Sequence, residues 1–112
     1  AAVLARLRED GYLDEERFTR AFARGKFRIN GWGKVKVCAA LRQKRIPDAL
    51  IRKALDELDA GDYRRKLADI LRKRLFKKKG TGRAEAAHAA FRYAVSKGFE
   101  PERVSEILNE LQ

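Results

Sequence analysis

A short apolar pattern recurs in this chain, and it limits the possible folds more than any other feature. Ile51, Ala54, Leu55 and Leu58 return 53 residues later as Val104, Ile107, Leu108 and Leu111. The last three of the first set also match Val3, Leu4 and Leu7, 51 residues earlier. Each complete set is spaced i, i+3, i+4, i+7, which is one buried stripe of an amphipathic helix. Helical stripes that repeat at this period predict stacked helical units. The expected fold is all-α: tandem three-helix repeats forming an elongated array. Residues 1–10 are expected to be the C-terminal helix of a preceding repeat, 11–60 one three-helix repeat and 61–112 a second.

Punctuating residues place the helices. A first helix is expected to end before Gly11, a C-terminal cap region. Asp14 then suits an N-cap, with Leu13 packing on Phe18 as a hydrophobic staple. The stripe Phe18, Ala21, Phe22, Ile29 is expected to face the core, and Gly31-Trp32-Gly33 to interrupt it. A helix over about 34–44 buries Val37, Cys38 and Leu41, and Pro47-Asp48 suits the start of the next. In the second unit Asp62 opens a helix carrying Tyr63, Leu67, Ile70, Leu71 and Leu75. Gly80-Thr81-Gly82 matches Gly31-Trp32-Gly33 at an offset of 49, whereas the third helices align at 53. The middle helix of the second unit, near 83–97, is therefore about one turn longer and stays in phase. It is alanine-rich, which favours helix and permits close approach of a neighbour. Phe99 and Val104 should staple the last helix as Ile46 and Ile51 staple its counterpart, with Pro101 at the first helical position.

Charge points to the partner class. The chain carries 27 basic and 16 acidic residues, a net charge of +11, which favours polyanionic partners. Seven basic residues and no acidic one lie between Arg17 and Lys36; Asp62 to Lys79 holds nine basic and two acidic. Glu100 to Gln112 holds four acidic and one basic, so charge is sorted by element. A single cysteine, Cys38, rules out an internal disulfide and disfavours a structural zinc site; a small buried helix residue is its simplest role. His88, the only histidine, follows Glu85 by three residues on the alanine-rich helix, a surface pair and not an acid–base centre. The Gly-x-Gly turns lack the strand and Lys-Ser/Thr context of a phosphate loop. No catalytic constellation, metal site or cofactor site is expected, and no apolar run reaches membrane-spanning length.

Several stretches resemble the RecX family, bacterial proteins that regulate the RecA recombinase. The first is Leu7-Arg8-Glu9-Asp10-Gly11-Tyr12-Leu13-Asp14-Glu15-Glu16-Arg17-Phe18. A basic helix, Gly31-Trp32-Gly33 and Leu41-Arg42-Gln43-Lys44-Arg45-Ile46 follow; Arg92-Tyr93-Ala94-Val95-Ser96-Lys97-Gly98-Phe99 is similar to the family's last repeat. Arg45 stands where the family usually has glycine, so a differently capped turn is expected before Ile46. The resemblance implies three-helix repeats that lodge in the groove of RecA filaments on DNA. It implies inhibition of ATP hydrolysis, strand exchange and co-protease activity, in a cytoplasmic monomer acting in DNA repair, recombination and the SOS response. The expected partners are the RecA filament and single- or double-stranded DNA, with no membrane.

The candidate contact residues are Arg20, Arg24, Lys26, Arg28, Lys34 and Lys36 in the first full unit. In the second they are Arg64, Arg65, Arg72, Lys73, Lys77, Lys78, Lys79 and Arg83. Arg20, Arg24 and Arg28 recur at i, i+4, i+8 and so share one helix face. Trp32, between two glycines, is a candidate for stacking or partner contact, though packing on its own repeat is the favoured role. Asp14, Arg17 and Phe18 are expected to be structural. The alternatives are a basic helical module that binds DNA or RNA backbone non-specifically, and a self-associating helical scaffold.

Overall fold

A computed structural model describes the backbone over residues 2–77 and 82–112, and side chains over 14–76 and 82–112. The chain forms α1 (Ala2–Arg28), α2 (Lys34–Gln43), α3 (Asp48–Asp56), α4 (Ala60–Lys77), α5 (Arg83–Ser96) and α6 (Pro101–Leu111), with no strand among the described residues. α1–α3 pack on one another and so do α4–α6. The two units lie end to end in a body of 66 × 23 × 21 Å. The fold is the elongated all-α array that the repeat predicts.

Each unit has its own core. The first gathers Ala23, Val37, Leu41, Ile46, Leu50, Ile51 and Ala54. The second gathers Tyr63, Leu67, Leu71, Ala90, Ala94, Phe99, Val104, Ile107 and Leu108, together with Phe27 from α1. The third helices bury the stripes their periodicity marks: Ile51 and Ala54 in α3, Val104, Ile107 and Leu108 in α6. Ile46 with Ile51, and Phe99 with Val104, fall in the same cores, and Pro101 starts α6. Ala86, Ala90 and Ala94 line one face of α5, at most 8% exposed, and let α4 approach closely. α2 has 10 residues and α5 has 14, the expected extra turn.

The first helix departs from expectation. α1 runs unbroken through Gly11, because one glycine costs only about 1 kcal/mol in a helix and the flanking residues carry the ladder. Asp14 is therefore an interior, exposed residue and not an N-cap. The buried stripe of α1 is Thr19, Ala23 and Phe27, not Phe18, Ala21, Phe22 and Ile29. Phe18 is 44% exposed and Ile29 is 85% exposed. α1 carries rings in two helical phases, and the phase with the smaller residues packs. Thr19 satisfies its buried hydroxyl locally, donating to the Glu15 carbonyl at 2.5 Å. In the second unit α4 starts at Ala60, and Asp59, not Asp62, supplies the cap: its carboxylate accepts the Asp62 N–H at 2.9 Å. Cys38 is half-buried on α2 against the first core. The side chains of Val3, Leu4, Leu7, Leu13 and Lys77, and residues Lys78, Lys79, Gly80 and Thr81, lie outside the described residues.

Candidate functional site

The site is built where the two units meet. α2 has no side-chain cap of its own. Its first N–H groups, which no helical carbonyl can reach, are satisfied by the second unit. The Gly33 N–H donates to the Lys97 carbonyl at 2.8 Å and the Val35 N–H to the Gly98 carbonyl at 2.9 Å. The Lys34 N–H donates to the Tyr63 hydroxyl oxygen at 2.9 Å, and that hydroxyl donates in turn to the Glu100 carboxylate. Burial, then the bond to Glu100, hold the Tyr63 phenol well above its ordinary pKa; the Lys34 N–H opposes them. Contact is so close that a Cβ on Gly33 would lie 2.4 Å from the Gly98 carbonyl carbon. Phe27 crosses the joint and stacks on Tyr63 with ring centroids 5.6 Å apart.

Beside this joint runs a groove of about 380 Å³, lined by residues that include Ile29, Lys66, Lys73, Arg74, Tyr93 and Lys97. Two of its lysines brace the joint: Lys66 Nζ donates to the Arg28 carbonyl at 3.1 Å and Lys97 Nζ to the Asn30 carbonyl at 2.7 Å. The Arg74 guanidinium lies 3.5 Å from the centre of the Tyr93 ring. Asp69, also in the lining, is held by Arg72 at 3.3 Å. The groove therefore joins an exposed apolar side chain, a stacked arginine–tyrosine pair and several ammonium groups. Such a surface suits an anionic polymer or an acidic protein face.

The acidic residues sort the candidates. Arg20 Nε meets Glu57 at 2.7 Å and its guanidinium also reaches Glu16 at 3.4 Å, so it ties α1 to α3. Lys53 joins the same cluster, 2.5 Å from Glu16; the hydrogen bond between them lowers the Glu16 pKa and raises that of Lys53. Arg64 pairs with Glu110, Arg65 with Asp62 and Arg72 with Asp69. Arg24, Lys26, Arg28, Lys34, Lys36, Lys73 and Arg83 have no carboxylate partner among the described residues. Arg20 therefore does not share a free face with Arg24 and Arg28, which are exposed. Trp32 packs on the first core and edge-on against Phe22, with Lys26 and Lys36 over its ring. Lys34 lies over Tyr63 at the joint. Arg83 sits at the far end of the array near the exposed Phe76. His88 and Glu85 are both exposed on α5, and no ion pair joins them.

Ile29, Lys66, Arg74, Tyr93 and Lys97 were not marked as site residues by the sequence. One signal was present: Lys66, Ile70, Lys73 and Arg74 stand at i, i+4, i+7, i+8, one face of α4. The contribution of Tyr93 and Lys97 depends on how the units stack, which no local pattern encodes.

Residues 14–55, the first unit from Asp14 to α3, match the family model described as RecX, second three-helix domain. The chain is 37% identical over 79 residues to a regulatory protein RecX of Mycobacterium sp. strain JLS, a match covering 70% of this chain and 43% of that protein. It is 33% identical over 85 residues to the regulatory protein RecX of Mycolicibacterium smegmatis, covering 76% of this chain and 45% of that one. The chain thus spans less than half the length of these relatives. No solved structure matches it.

Proposed function

The chain belongs to the RecX family, and from that premise we propose that it is a negative regulator of RecA, binding RecA–DNA filaments and slowing ATP hydrolysis and strand exchange. It does so by binding, not catalysis, in DNA repair, recombination and the SOS response in the cytoplasm. One observation carries the assignment to a surface. The groove at the joint gathers Lys73 and Arg74 without a free carboxylate, since the one acid in its lining is paired with Arg72. Arg24 and Arg28 lie exposed toward the end of the helix that leads into the joint. An elongated body with a rigid joint presents these cations in fixed register, as tracking a nucleoprotein groove requires. Lys34, Lys36 and Arg83 extend the basic surface along the array; Arg20, Arg64, Arg65 and Arg72 are occupied within the chain and contribute less.

The test is RecA ATPase on single-stranded DNA, titrated with this chain and with Lys73→Glu/Arg74→Glu. Neither residue has a carboxylate partner among the described residues, and an unchanged far-ultraviolet circular dichroism spectrum is the check that the fold survives loss of the Arg74–Tyr93 stack. The native chain is expected to slow hydrolysis and the variant to lose most of that effect, with inhibition fading as salt rises. Tight binding to bare DNA with RecA activity untouched would instead identify a non-specific DNA-binding module.

A further inference from the structure

A second surface, which shares none of the residues that line the groove, has its own chemistry. Phe18, Phe22 and Trp32 form a strip along the first unit, with ring centroids 5.6 Å and 6.5 Å apart. Phe18 is 44% exposed, and Phe22 and Trp32 are half-buried. Three lysines lie over these rings. Lys44 Nζ is 6.0 Å from the centre of Phe18 and 5.7 Å from Phe22; Lys26 is 5.5 Å from Phe22 and 4.9 Å from Trp32; Lys36 is 4.7 Å from Trp32. None of the three has a carboxylate partner among the described residues.

Phe22 and Trp32 rest on the first core along one side, whereas Phe18 lies outside it. The buried phase of α1 is Thr19, Ala23 and Phe27, and that of α4 is Tyr63, Leu67 and Leu71. Phe18 and Phe22 stand one position before Thr19 and Ala23, so they flank the buried phase and turn ring area outward beneath ammonium groups.

We propose that this strip is a second binding site, for the unpaired bases of a single-stranded nucleic acid. Aromatic side chains flanked by cations are what such strands require, because every base has a face to stack and every linkage carries a negative charge. Without a ligand, the ammonium groups rest on the ring faces. A phosphate draws the ammonium off the ring, and a base takes the vacated face. Stacking of this kind is tolerant of sequence, and the charge contribution fades with salt. The inference is independent of the recombinase reading, and its test contains no recombinase.

Trp32 is the only tryptophan and lies within the strip, so its fluorescence reports occupancy directly. The probes are oligo(dT), an abasic strand of equal length, a duplex of equal length and polyglutamate. Oligo(dT) is expected to quench Trp32 and to bind on the order of tenfold tighter than the abasic strand. Phe18→Leu/Phe22→Leu, which removes two ring faces and keeps apolar bulk, is expected to lose about that factor toward oligo(dT) and nothing toward the abasic strand. Equal affinity for oligo(dT) and the abasic strand would overturn the proposal, leaving backbone charge alone. Tighter binding of the duplex would overturn it as well, and so would polyglutamate quenching as strong as that by oligo(dT), which marks a surface for acidic protein. Should the double variant unfold, the oligo(dT) and abasic comparison on the native chain still decides.

Discussion

Arg45 and Gly98 hold the same place in their units, 53 residues apart, just before the residue that staples the third helix. Both are left-handed, at φ 61° and 98°. An L-residue pays about 1–2 kcal/mol for that backbone, and glycine does not. Arg45→Gly relieves the strain but frees the unfolded chain. A net gain of about 0.5–1 kcal/mol is expected, read as a higher urea midpoint. Gly98→Ala goes the other way: its Cβ would meet the Lys36 Cβ at 2.3 Å and the Lys36 nitrogen at 2.6 Å. A loss above about 2 kcal/mol is expected, because backbone strain and a backbone clash act together. The two phenylalanines of α1 separate in the same assay. Phe27 is 5% exposed within the second core, so Phe27→Ala should cost about 3–5 kcal/mol. Phe18, at 44% exposure, should cost less than half as much, and equal midpoints for the two would place Phe18 back in the core.

At the scale of elements, α3 and α6 could be read from sequence because each has one apolar phase, bounded by Pro47 or Pro101. α1 could not, because rings at Phe18 and Phe22 compete with the phase of Thr19, Ala23 and Phe27. Two of the three buried residues, Thr19 and Ala23, are small, so ring size does not mark the packed face of this helix. The start of α2 was legible as a break at Gly33 but not in its capping, since the partners come from α4 and the α5–α6 turn. Tyr63 makes that dependence testable. Its folded pKa is raised above 10.0, the value expected when unfolded, so the neutral phenol is favoured by the fold. The resulting stability is complete below pH 10 and drains away as pH rises above it, because the unfolded phenol ionises first. Tyr63→Phe removes the hydroxyl that receives the Lys34 N–H and should cost about 1–3 kcal/mol at neutral pH. The stability gap between wild type and variant should narrow above pH 10; a constant gap would mean the phenol titrates normally in the fold.

Across the whole molecule, the net charge of +11 was plain from sequence, whereas which cations remain available was not. That depended on folding, which set Glu57 against Arg20 and Glu110 against Arg64, pairs 37 and 46 residues apart. The groove was equally hidden, since it exists only because two units stack at one fixed angle. That angle rests on few groups. Helices pack within their own units, and the link between units is Phe27, the Tyr63 hydroxyl, the contact of Gly33 and Val35 with the Lys97–Gly98 backbone, and the Lys66 and Lys97 ammonium groups on the end of α1. In repeat arrays, stability is the sum of unit terms and interface terms, so a strong interface makes the units unfold together. Gly33→Ala tests this directly, because its Cβ would lie 2.4 Å from three backbone atoms, Gly98 C, Gly98 O and Phe99 N. The units must move apart to admit it, while neither core loses a side chain. Denaturation followed by Trp32 fluorescence reports the first unit, and far-ultraviolet circular dichroism reports both. The two curves should coincide for wild type and separate for Gly33→Ala. Coincident curves for the variant would show that Phe27 and the side-chain bonds couple the units without the close backbone contact; separate curves for wild type would show that the joint does not hold the groove in register.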